Sequence, residues 1–309
     1  MTDQNNRQTF EVTEEFEDCR LDKFLSVLYE GQSRTFFQKL IKDGNVMIND
    51  QTVTKNSFKV SGDDIISVTV PEVQSLDILP ENIPLDILYE DADILVVNKA
   101  KGMVVHPSAG HYTGTLVNAV MYHCQNSLSG INGVIRPGIV HRIDKDTTGS
   151  LIICKNDTAH TEIAKQIKEH TVIRKYRGIV LGNVKEDTGK IEGLIGRHPV
   201  HRKKMAVVET NGKSAVTHYK VIERFQKYTY MEFQLETGRT HQIRVHMASI
   251  CHPLLGDTVY GPEKQPVKGL EGQTLHAMTI GFIHPSSREY IEIEAPLPAY
   301  FKELLAKLK

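Results

Sequence analysis

The chain has 309 residues, enough for one large domain and one small one, because single domains seldom exceed a few hundred residues. Its composition, 40% hydrophobic and 24% charged, is typical of a soluble globular protein and argues against a disordered or membrane-embedded chain. The formal net charge of −1 leaves nucleic-acid binding open, since such binding requires a basic surface and not a basic total.

Residues 1–18 are polar and acidic without an apolar core, so they match neither a signal peptide nor an Arg-rich transit segment. No run approaches the roughly 20 apolar residues that a membrane span needs. We therefore expect a cytoplasmic protein that does not contact a membrane. The 4 cysteines lie far apart without a Cys-x-x-Cys spacing, which argues against a zinc knuckle and against a disulfide framework.

The N-terminal region predicts a disordered tail over residues 1–12 and a small domain over residues 13–70. Apolar residues at helical spacing indicate two helices separated by a break, and Ser33 is a suitable N-cap for the second one. Short apolar runs after the second helix indicate a few strands. The sequence therefore predicts a two-helix, short-strand domain in this region.

The small domain carries an excess of basic residues. Between Cys19 and Lys59 there are 7 basic and 4 acidic residues, and Lys39 and Lys42 share a helix face beside Arg34. These three side chains are candidates for phosphate contact, although charge alone favours a solvated helix face equally. The segments RLDKFLS, SRTFFQKLIKDGNVMIND and GDDIISV, in this order, resemble the small RNA-binding domain of ribosomal protein S4.

Residues 71–86 contain three prolines and no clear period, so they are predicted to be a linker. The large domain, 87–309, has many strand-like runs and few helical ones. This pattern favours an α+β fold with a mixed, mainly antiparallel sheet. The predicted elements include strands at 94–99, 172–180, 215–222, 230–235, 275–283 and 290–294, and helices at 115–122, 158–169, 240–250 and 299–309.

The stretch GIVHRIDKDTTGSLIICKN, residues 138–156, has the pattern of a strand, a charged turn and a second strand. Asp144 lies in the turn, two residues after Arg142, and a rigidly mounted carboxylate can act as a nucleophile or a base. Taken alone, the stretch favours a simpler interpretation, in which Asp144 and Asp146 accept hydrogen bonds from the local backbone.

A second cationic segment, GRTHQIRVH, precedes and begins the predicted helix at 240–250. His241 and Arg244 share one helix face and Arg239 lies just before it, so the segment directs cations towards an anion. A structural ion pair with a glutamate is the alternative. The histidines do not have zinc-ligand spacing, because His241 and His246 are five residues apart and point away from each other.

A basic stretch, GRHPVHRKKM at 196–205, is predicted to be a loop that contacts a polynucleotide backbone, with Arg202 and Lys203 as its main contacts. A solvated turn is the alternative. Neither GxxxxGK nor GxGxxG occurs between a strand and a helix, and GxSxG is absent, so a nucleotide cofactor and an α/β-hydrolase are not expected.

Five segments in order resemble the RluA/RluD-type RNA pseudouridine synthases over about 85–297. They are YEDADILVVNKAKGMVVHP at 89–107, HRIDKDTTG at 141–149, RKYRG at 174–178, GRHPVHRKKMAV at 196–207 and ETGRTHQIRVHMASICHPLLGDTVYG at 236–261. The chain departs from the family at Ala100, where the family usually has proline. This difference affects the rigidity of one turn and not the chemistry.

The resemblance implies roles for particular residues. Asp144 matches the catalytic aspartate, Tyr176 the active-site tyrosine, and Arg244 the basic residue placed against the aspartate. Arg142 and His141 are expected to hold the displaced nucleotide or its phosphates, with Arg239 and His241 as further RNA contacts. Asp146 does not match the catalytic position and is expected to be a turn residue.

The predicted function is isomerisation of specific uridines to pseudouridine in RNA without a cofactor or a metal. The added N-terminal domain favours large-subunit ribosomal RNA by analogy. The alternatives are the same activity on transfer RNA, a non-catalytic RNA-binding protein of ribosome assembly, and a metal-dependent hydrolase. RNA is the expected partner, and a monomer the expected state.

Overall fold

The structure is a computed structural model that describes residues 7–29, 33–70, 78–107, 111–125, 127–131, 137–201 and 204–308. The chain divides into two compact units, Met1–Ser75 and Leu76–Lys309, and each unit has its own hydrophobic core. Within the described ranges, the helices are all too short or too polar to cross a membrane.

The small unit packs two helices on a short sheet. Its strands pair in the order β1-β4-β2-β3, and the apolar faces of both helices meet the strands in one core. Ser33 caps the second helix by accepting a hydrogen bond from the backbone N–H of Phe36 at 3.3 Å. The predicted two-helix, short-strand domain is confirmed. Its elements are β1 (Arg7–Glu11), a 3-10 helix (Glu14–Phe16), α1 (Leu21–Leu28), α2 (Arg34–Lys42), β2 (Val46–Ile48), β3 (Gln51–Thr52) and β4 (Ile65–Thr69).

The prediction of a disordered tail up to residue 12 is wrong for residues 7–12. Strand β1 pairs antiparallel with β4, and the following Val12 is buried and donates its backbone N–H to Asp64 O over 2.9 Å. The side chains of β1 are largely exposed, so backbone hydrogen bonds attach this strand to β4. Its sequence therefore has little of the apolar pattern that would predict a strand. The rest of the predicted tail, residues 1–6, lies outside the described residues.

The large unit is built on one sheet, which among the described residues runs in the order β10-β9-β11-β12-β8-β13-β7-β6-β5, with β14 paired to β13. The elements are β5 (Ile87–Glu90), β6 (Ile94–Lys99), α3 (Leu116–Cys124), β7 (Thr148–Cys154), α4 (Asp157–Lys168), β8 (Ile173–Leu181), β9 (Thr188–Arg197), β10 (Met205–Val208), β11 (Lys213–Arg224), β12 (Tyr228–Leu235), α5 (Gln242–Ser249), β13 (Leu275–Ile283), β14 (Tyr290–Glu294) and α6 (Ala299–Leu308).

The pairing of strands confirms a mixed, mainly antiparallel sheet. The pair β13 and β7 is parallel, and the other pairs named are antiparallel. Alternate residues of β6 and β7 enter different cores, one shared with α3 and α5 and the other with α4. Helices therefore cover both faces of the central strands, and every residue of β7 is buried. Gly149 is required where β7 meets β13, because a Cβ there would overlap the backbone of Ala277.

Two predicted boundaries in the large unit are wrong. The basic stretch at 196–205 is only partly a loop, because its first two residues end β9 and Met205 begins β10. The predicted linker also ends too late. Ile78 is buried in the main core, and Asn118 of α3 donates to Leu79 O over 2.8 Å. Residues 78–86 therefore pack on the large unit, while 71–77 lie outside the described residues.

Candidate active site

Asp144 lies in the loop that leads into β7, and its side chain is 18% exposed. The residues on either side fix the loop. Ile143 is buried in the main core, and the carbonyl oxygen of Lys145 accepts hydrogen bonds from Gly102 N at 3.0 Å and Lys99 Nζ at 2.9 Å. The carboxylate is therefore mounted on a loop that is held at both neighbouring residues.

Lys99 ends β6 and is almost fully buried beneath this loop. Its Nζ also donates to the carbonyl oxygens of Ala100 and Met103, both at 2.8 Å. Three carbonyl acceptors match the three N–H donors of an ammonium group. Burial lowers the pKa of Lys99 to about 7, against the opposing effect of Asp146 and Asp144. Lys99 thus ties the turn after β6 to the loop that carries Asp144.

Arg244 on α5 holds two carboxylates at once. Its Nη1 donates to Asp144 Oδ2 over 2.9 Å, while Nε and Nη2 donate to Asp257 Oδ2 and Oδ1 over 2.7 and 3.0 Å. The Arg244 side chain is 6% exposed and that of Asp257 is fully buried. The predicted alternative of a structural ion pair therefore also applies to Arg244, although the partner is an aspartate.

Asp257 has its whole carboxylate engaged. Besides Arg244, its Oδ1 accepts the backbone N–H groups of Val259 and Tyr260 at 2.9 and 3.0 Å. Burial raises the pKa of Asp257, but the hydrogen bonds and the charge of Arg244 outweigh burial and lower it overall. Burial lowers the pKa of Arg244, but the effects of Asp257 and Asp144 are larger than that of burial, so the pKa of Arg244 is raised overall. The buried pair of Arg244 and Asp257 is therefore charged, and Arg244 lies between Asp257 and Asp144.

His241 stands beside Asp144 in a strained backbone conformation. Its φ of 58° is in the left-handed region, which is uncommon for residues other than glycine. Its Nε2 lies 3.8 Å from Asp144 Oδ1, and its Nδ1 lies 2.8 Å from the hydroxyl of Tyr260. That hydroxyl oxygen accepts the backbone N–H of Met205 over 2.9 Å. When the Tyr260 hydroxyl donates to Nδ1, the Nε2 of a neutral His241 carries the proton and faces Asp144.

A pocket of about 500 Å³ brings the three predicted catalytic residues together, because Asp144, Tyr176 and Arg244 all line it. Apolar side chains such as Leu235 and Leu275 complete its walls. Tyr176 is 7% exposed. The pKa of Tyr176 is raised overall. Burial is the main cause of this rise, Asp144 adds to it, and the positive charge of Arg174 opposes it. The pocket therefore combines a flat aromatic side chain, a carboxylate and a cation, which suits a planar polar ligand.

Four of the predicted RNA-binding residues also line this pocket. Arg142 is exposed. Arg239 donates from Nε to Ser214 O over 2.8 Å. The Nε2 of His141 accepts the backbone N–H of Ile152 over 3.0 Å, and burial, with help from the charge of Arg174, lowers the pKa of His141 to about 3. His141 is therefore neutral and offers only Nδ1 to a ligand. The fourth residue is His241, described above.

The remaining predicted RNA-binding residues lie elsewhere. Lys39 and Lys42 are exposed on α2 of the small unit. Arg34 donates from Nε and Nη2 to the buried carboxylate of Asp22 over 3.0 and 3.1 Å. Arg20 also donates two hydrogen bonds to this carboxylate. Burial raises the pKa of Asp22, but the hydrogen bonds outweigh it and lower the pKa to about 2. Arg202 and Lys203 lie outside the described residues.

Sequence reasoning missed Lys99, Asp257, Tyr260 and Arg174 as parts of the site. One signal was available. A buried arginine on a helix requires a carboxylate, and Asp257 follows Arg244 closely in the segment that carried the family resemblance. A lysine at the end of an apolar strand, as at Lys99, is a weaker signal, because most such lysines are solvated.

Known proteins resemble this chain in both of its units. A family model described as RNA pseudouridylate synthase matches residues 93–249, and a model of the S4 domain matches residues 19–66. The uncharacterized RNA pseudouridine synthase YlyB of Bacillus subtilis is 52% identical over 304 residues, covering 98% of this chain and 99% of the relative. A protein of Zymomonas mobilis named ribosomal large subunit pseudouridine synthase D is 45% identical over 295 residues, covering 93% of each chain.

Two solved human structures share the fold over most of this chain. RNA Pseudouridylate Synthase Domain Containing 1 superposes with a TM-score of 0.58 at 24% identity, covering 77% of this chain and 97% of that one. RNA Pseudouridylate Synthase Domain Containing 4 gives 0.56 at 25% identity, covering 72% and 92%. The chain therefore belongs to the RluA/RluD family of RNA pseudouridine synthases, isomerases that act on uridine in RNA, and it carries an S4 domain before its catalytic domain.

Proposed function

We propose that the protein converts specific uridines of large-subunit ribosomal RNA to pseudouridine, with Asp144 as the nucleophile and without a cofactor. The observation that carries the proposal is the ion pair of Asp144 with Arg244 at 2.9 Å, in a pocket also lined by Tyr176. The choice of RNA is supported by the names of relatives from Zymomonas mobilis, Neisseria meningitidis and Haemophilus ducreyi, each called ribosomal large subunit pseudouridine synthase D.

The reaction is an internal exchange of bonds. The bond between uracil N1 and ribose C1′ breaks, the base turns within the pocket and a bond forms between C5 and C1′. The proton on C5 then leaves, and N1, freed from the ribose, takes up a proton. The product has the same atoms and electrons as the substrate, so no oxidant, reductant or water is consumed. Attack by Asp144 on the pyrimidine ring and attack on C1′ are both compatible with this balance.

Each pocket residue then has a defined task. Arg244 donates a hydrogen bond to Asp144 Oδ2 and so holds the carboxylate in position for attack. Tyr176 offers its ring as a flat surface for the extruded uracil and its hydroxyl as a group for proton transfer. His241, with Nε2 directed at Asp144 Oδ1, helps to orient the same carboxylate.

The target base must leave its stack before it can enter the pocket, and extrusion costs a few kcal/mol. The exposed Arg142 and the half-buried Arg239 are proposed to recover part of this energy by contacting the phosphates of the displaced nucleotide. In the small domain, Lys39 and Lys42 on α2, with Arg34 beside them, are proposed to contact the RNA backbone further from the reacting base.

Tritium release tests the proposal directly. Large-subunit ribosomal RNA transcribed with uridine tritiated at C5 loses tritium when pseudouridine forms. We expect Asp144→Asn to reduce release by at least about a thousandfold while RNA affinity, measured by filter binding, stays near that of the wild type. Asp146→Asn is the matched control, since the same change two residues away removes a carboxylate assigned to the turn.

Three outcomes would overturn parts of the proposal. Unchanged tritium release by Asp144→Asn would remove Asp144 as the nucleophile. Release from transfer RNA but not from ribosomal RNA would move the activity to the alternative substrate. RNA binding without release from either RNA would support a binding protein of ribosome assembly instead. Pseudouridine maps of total RNA from cells with and without the protein would then identify the modified positions.

A further inference from the structure

Arg174 is a buried arginine in the pocket, and among the described residues it has no carboxylate partner. It lies on β8 two residues before Tyr176, so both side chains leave the same face of the strand, and it is 6% exposed. Its Nη2 donates to the carbonyl oxygen of Glu236 over 3.1 Å, while its Nε is buried without a hydrogen-bond partner. No ion pair joins Arg174 to a carboxylate in the described part of the chain.

The charges near Arg174 make its burial more costly. Burial lowers the pKa of Arg174, Tyr176 opposes this effect, and the positive charge of Arg239 adds to it. A buried, uncompensated charge is strongly unfavourable, so proteins normally pair it. Two adjacent cations in a pocket, one of them lacking a partner for Nε, are therefore an arrangement that an incoming anion would stabilise.

Gly238 leaves space for the guanidinium of Arg174. A Cβ at Gly238 would lie 2.6 Å from Arg174 Nη1, closer than side-chain contacts allow. Both residues line the pocket. The backbone of the segment before α5 therefore allows the guanidinium to lie close against it, and a side chain at Gly238 would displace it.

We propose that Arg174 and Arg239 form an anion subsite in the pocket, which binds a phosphate of the uridine nucleotide whose base lies against Tyr176. The proposal rests on the proposed function and deepens it. Residues two apart on a strand are separated by about 6.5 Å, so a nucleotide with its base on the Tyr176 ring has its ribose phosphates near Arg174. A phosphate fits better than a base carbonyl, because it is charged and matches the fork of a guanidinium.

The stability of the ligand-free protein distinguishes a ligand-binding role from a structural one. If Arg174 holds the fold together, Arg174→Met will lower the melting temperature. If Arg174 instead serves to bind an anion, Arg174→Met removes an unpaired buried charge from the ligand-free protein, and the melting temperature will stay the same or rise. Lys175→Met, on the opposite face of β8, is the control for removal of a positive charge. A fall of more than roughly 5 °C in Arg174→Met alone would overturn the proposal.

Mononucleotide binding tests the ligand class without any need for the natural RNA. Calorimetric titration compares uridine with uridine 5′-monophosphate and uridine 3′-monophosphate. We expect the wild-type protein and Lys175→Met to bind one monophosphate at least about tenfold more tightly than uridine, as a charge-assisted hydrogen bond implies. In Arg174→Met this ratio falls to about one, and in Arg174→Lys it is intermediate. Equal binding of uridine and both monophosphates to the wild type, or an unchanged ratio in Arg174→Met, would overturn the proposal.

This experiment separates the two proposals. A wild-type protein that prefers a monophosphate but releases no tritium from ribosomal RNA has the anion subsite and a different substrate. A protein that releases tritium but does not distinguish uridine from its monophosphates keeps the proposed function and loses the subsite.

Discussion

Asp257 binds Arg244 through both of its carboxylate oxygens: Arg244 Nε donates to Oδ2 at 2.7 Å and Nη2 donates to Oδ1 at 3.0 Å. Because two of its nitrogens are bound to Asp257, the guanidinium of Arg244 cannot rotate. Its Nη1 therefore stays directed at Asp144 Oδ2. Asp257 is fully buried and has no access to the pocket of its own. If Asp144 and Arg244 have the roles proposed above, Asp257 is a positioning residue that acts only through Arg244.

Asp257→Asn is expected to lower kcat by about a hundredfold, because displacement of a catalytic group by about 1 Å has an effect of this size. KM for RNA should change little, since Asp257 does not line the pocket. The measurement is tritium release over a range of RNA concentrations, with circular dichroism to confirm folding. A variant with normal kcat would show that the second carboxylate is not needed to hold Arg244.

Lys99→Met is expected to lower kcat and to destabilise the loop that carries Asp144, because three backbone carbonyl oxygens lose their shared donor. We expect a loss of about 2–4 kcal/mol in the free energy of unfolding, near that of other buried polar networks. Lys101→Met is the matched control, since Lys101 lies over the ring of Tyr300 at 4.2 Å and does not bond to the loop. Equal effects of the two changes on kcat would contradict the role given to Lys99.

The sequence predicted the bounds of two late strands of the large unit correctly. The strands at 275–283 and 290–294 have the expected bounds, because continuous or alternating apolar runs determine them. Asp144, Tyr176 and Arg244 were brought together only by the family resemblance. Their spacing along the chain is too wide for local patterns to show that they share one pocket.

Other features depend on how distant parts of the chain meet. Strand β1 is a polar edge strand that is held by backbone hydrogen bonds to β4, and such bonds leave no side-chain pattern. The pairing of Asp257 with Arg244 and the unpaired state of Arg174 appear only after the packing of α5 and β8 is known. Sequence reasoning could identify these residues as charged, but not as partnered or unpartnered.

The small domain offers a test of RNA binding that is independent of catalysis. Lys39→Gln combined with Lys42→Gln is expected to weaken RNA binding at low salt and to reduce the slope of log affinity against log salt by about 1 for each phosphate that is no longer neutralised. Turnover at saturating RNA should be unchanged. Lys55→Gln combined with Lys59→Gln, in the same domain but after the helices, is the control. Equal slopes for the two pairs would argue against specific binding through α2.

Stability at acid pH should depend on His246, which is fully buried on α5. Burial lowers its pKa to about 4, whereas an unfolded histidine titrates near 6.5. Between these values the unfolded chain binds a proton that the folded protein does not, so stability falls as the pH falls from about 6.5 to 4. The loss attributable to His246 is roughly 2–3 kcal/mol by pH 4.5.

Replacement by leucine separates this titration from packing. His246→Leu should flatten the dependence of the unfolding free energy on pH between 7 and 4.5 by about that amount, whatever its effect at neutral pH. Thr217, the hydrogen-bond partner of His246 Nδ1, keeps a donor in Gln242 Nε2 at 3.0 Å, so the replacement leaves no orphaned acceptor. Urea unfolding followed by circular dichroism at several pH values gives the slope, and exposed His111→Gln is the control. If the slope in His246→Leu equals that of the wild type, the proton uptake of the unfolded chain arises from other groups, and burial of His246 does not control acid stability.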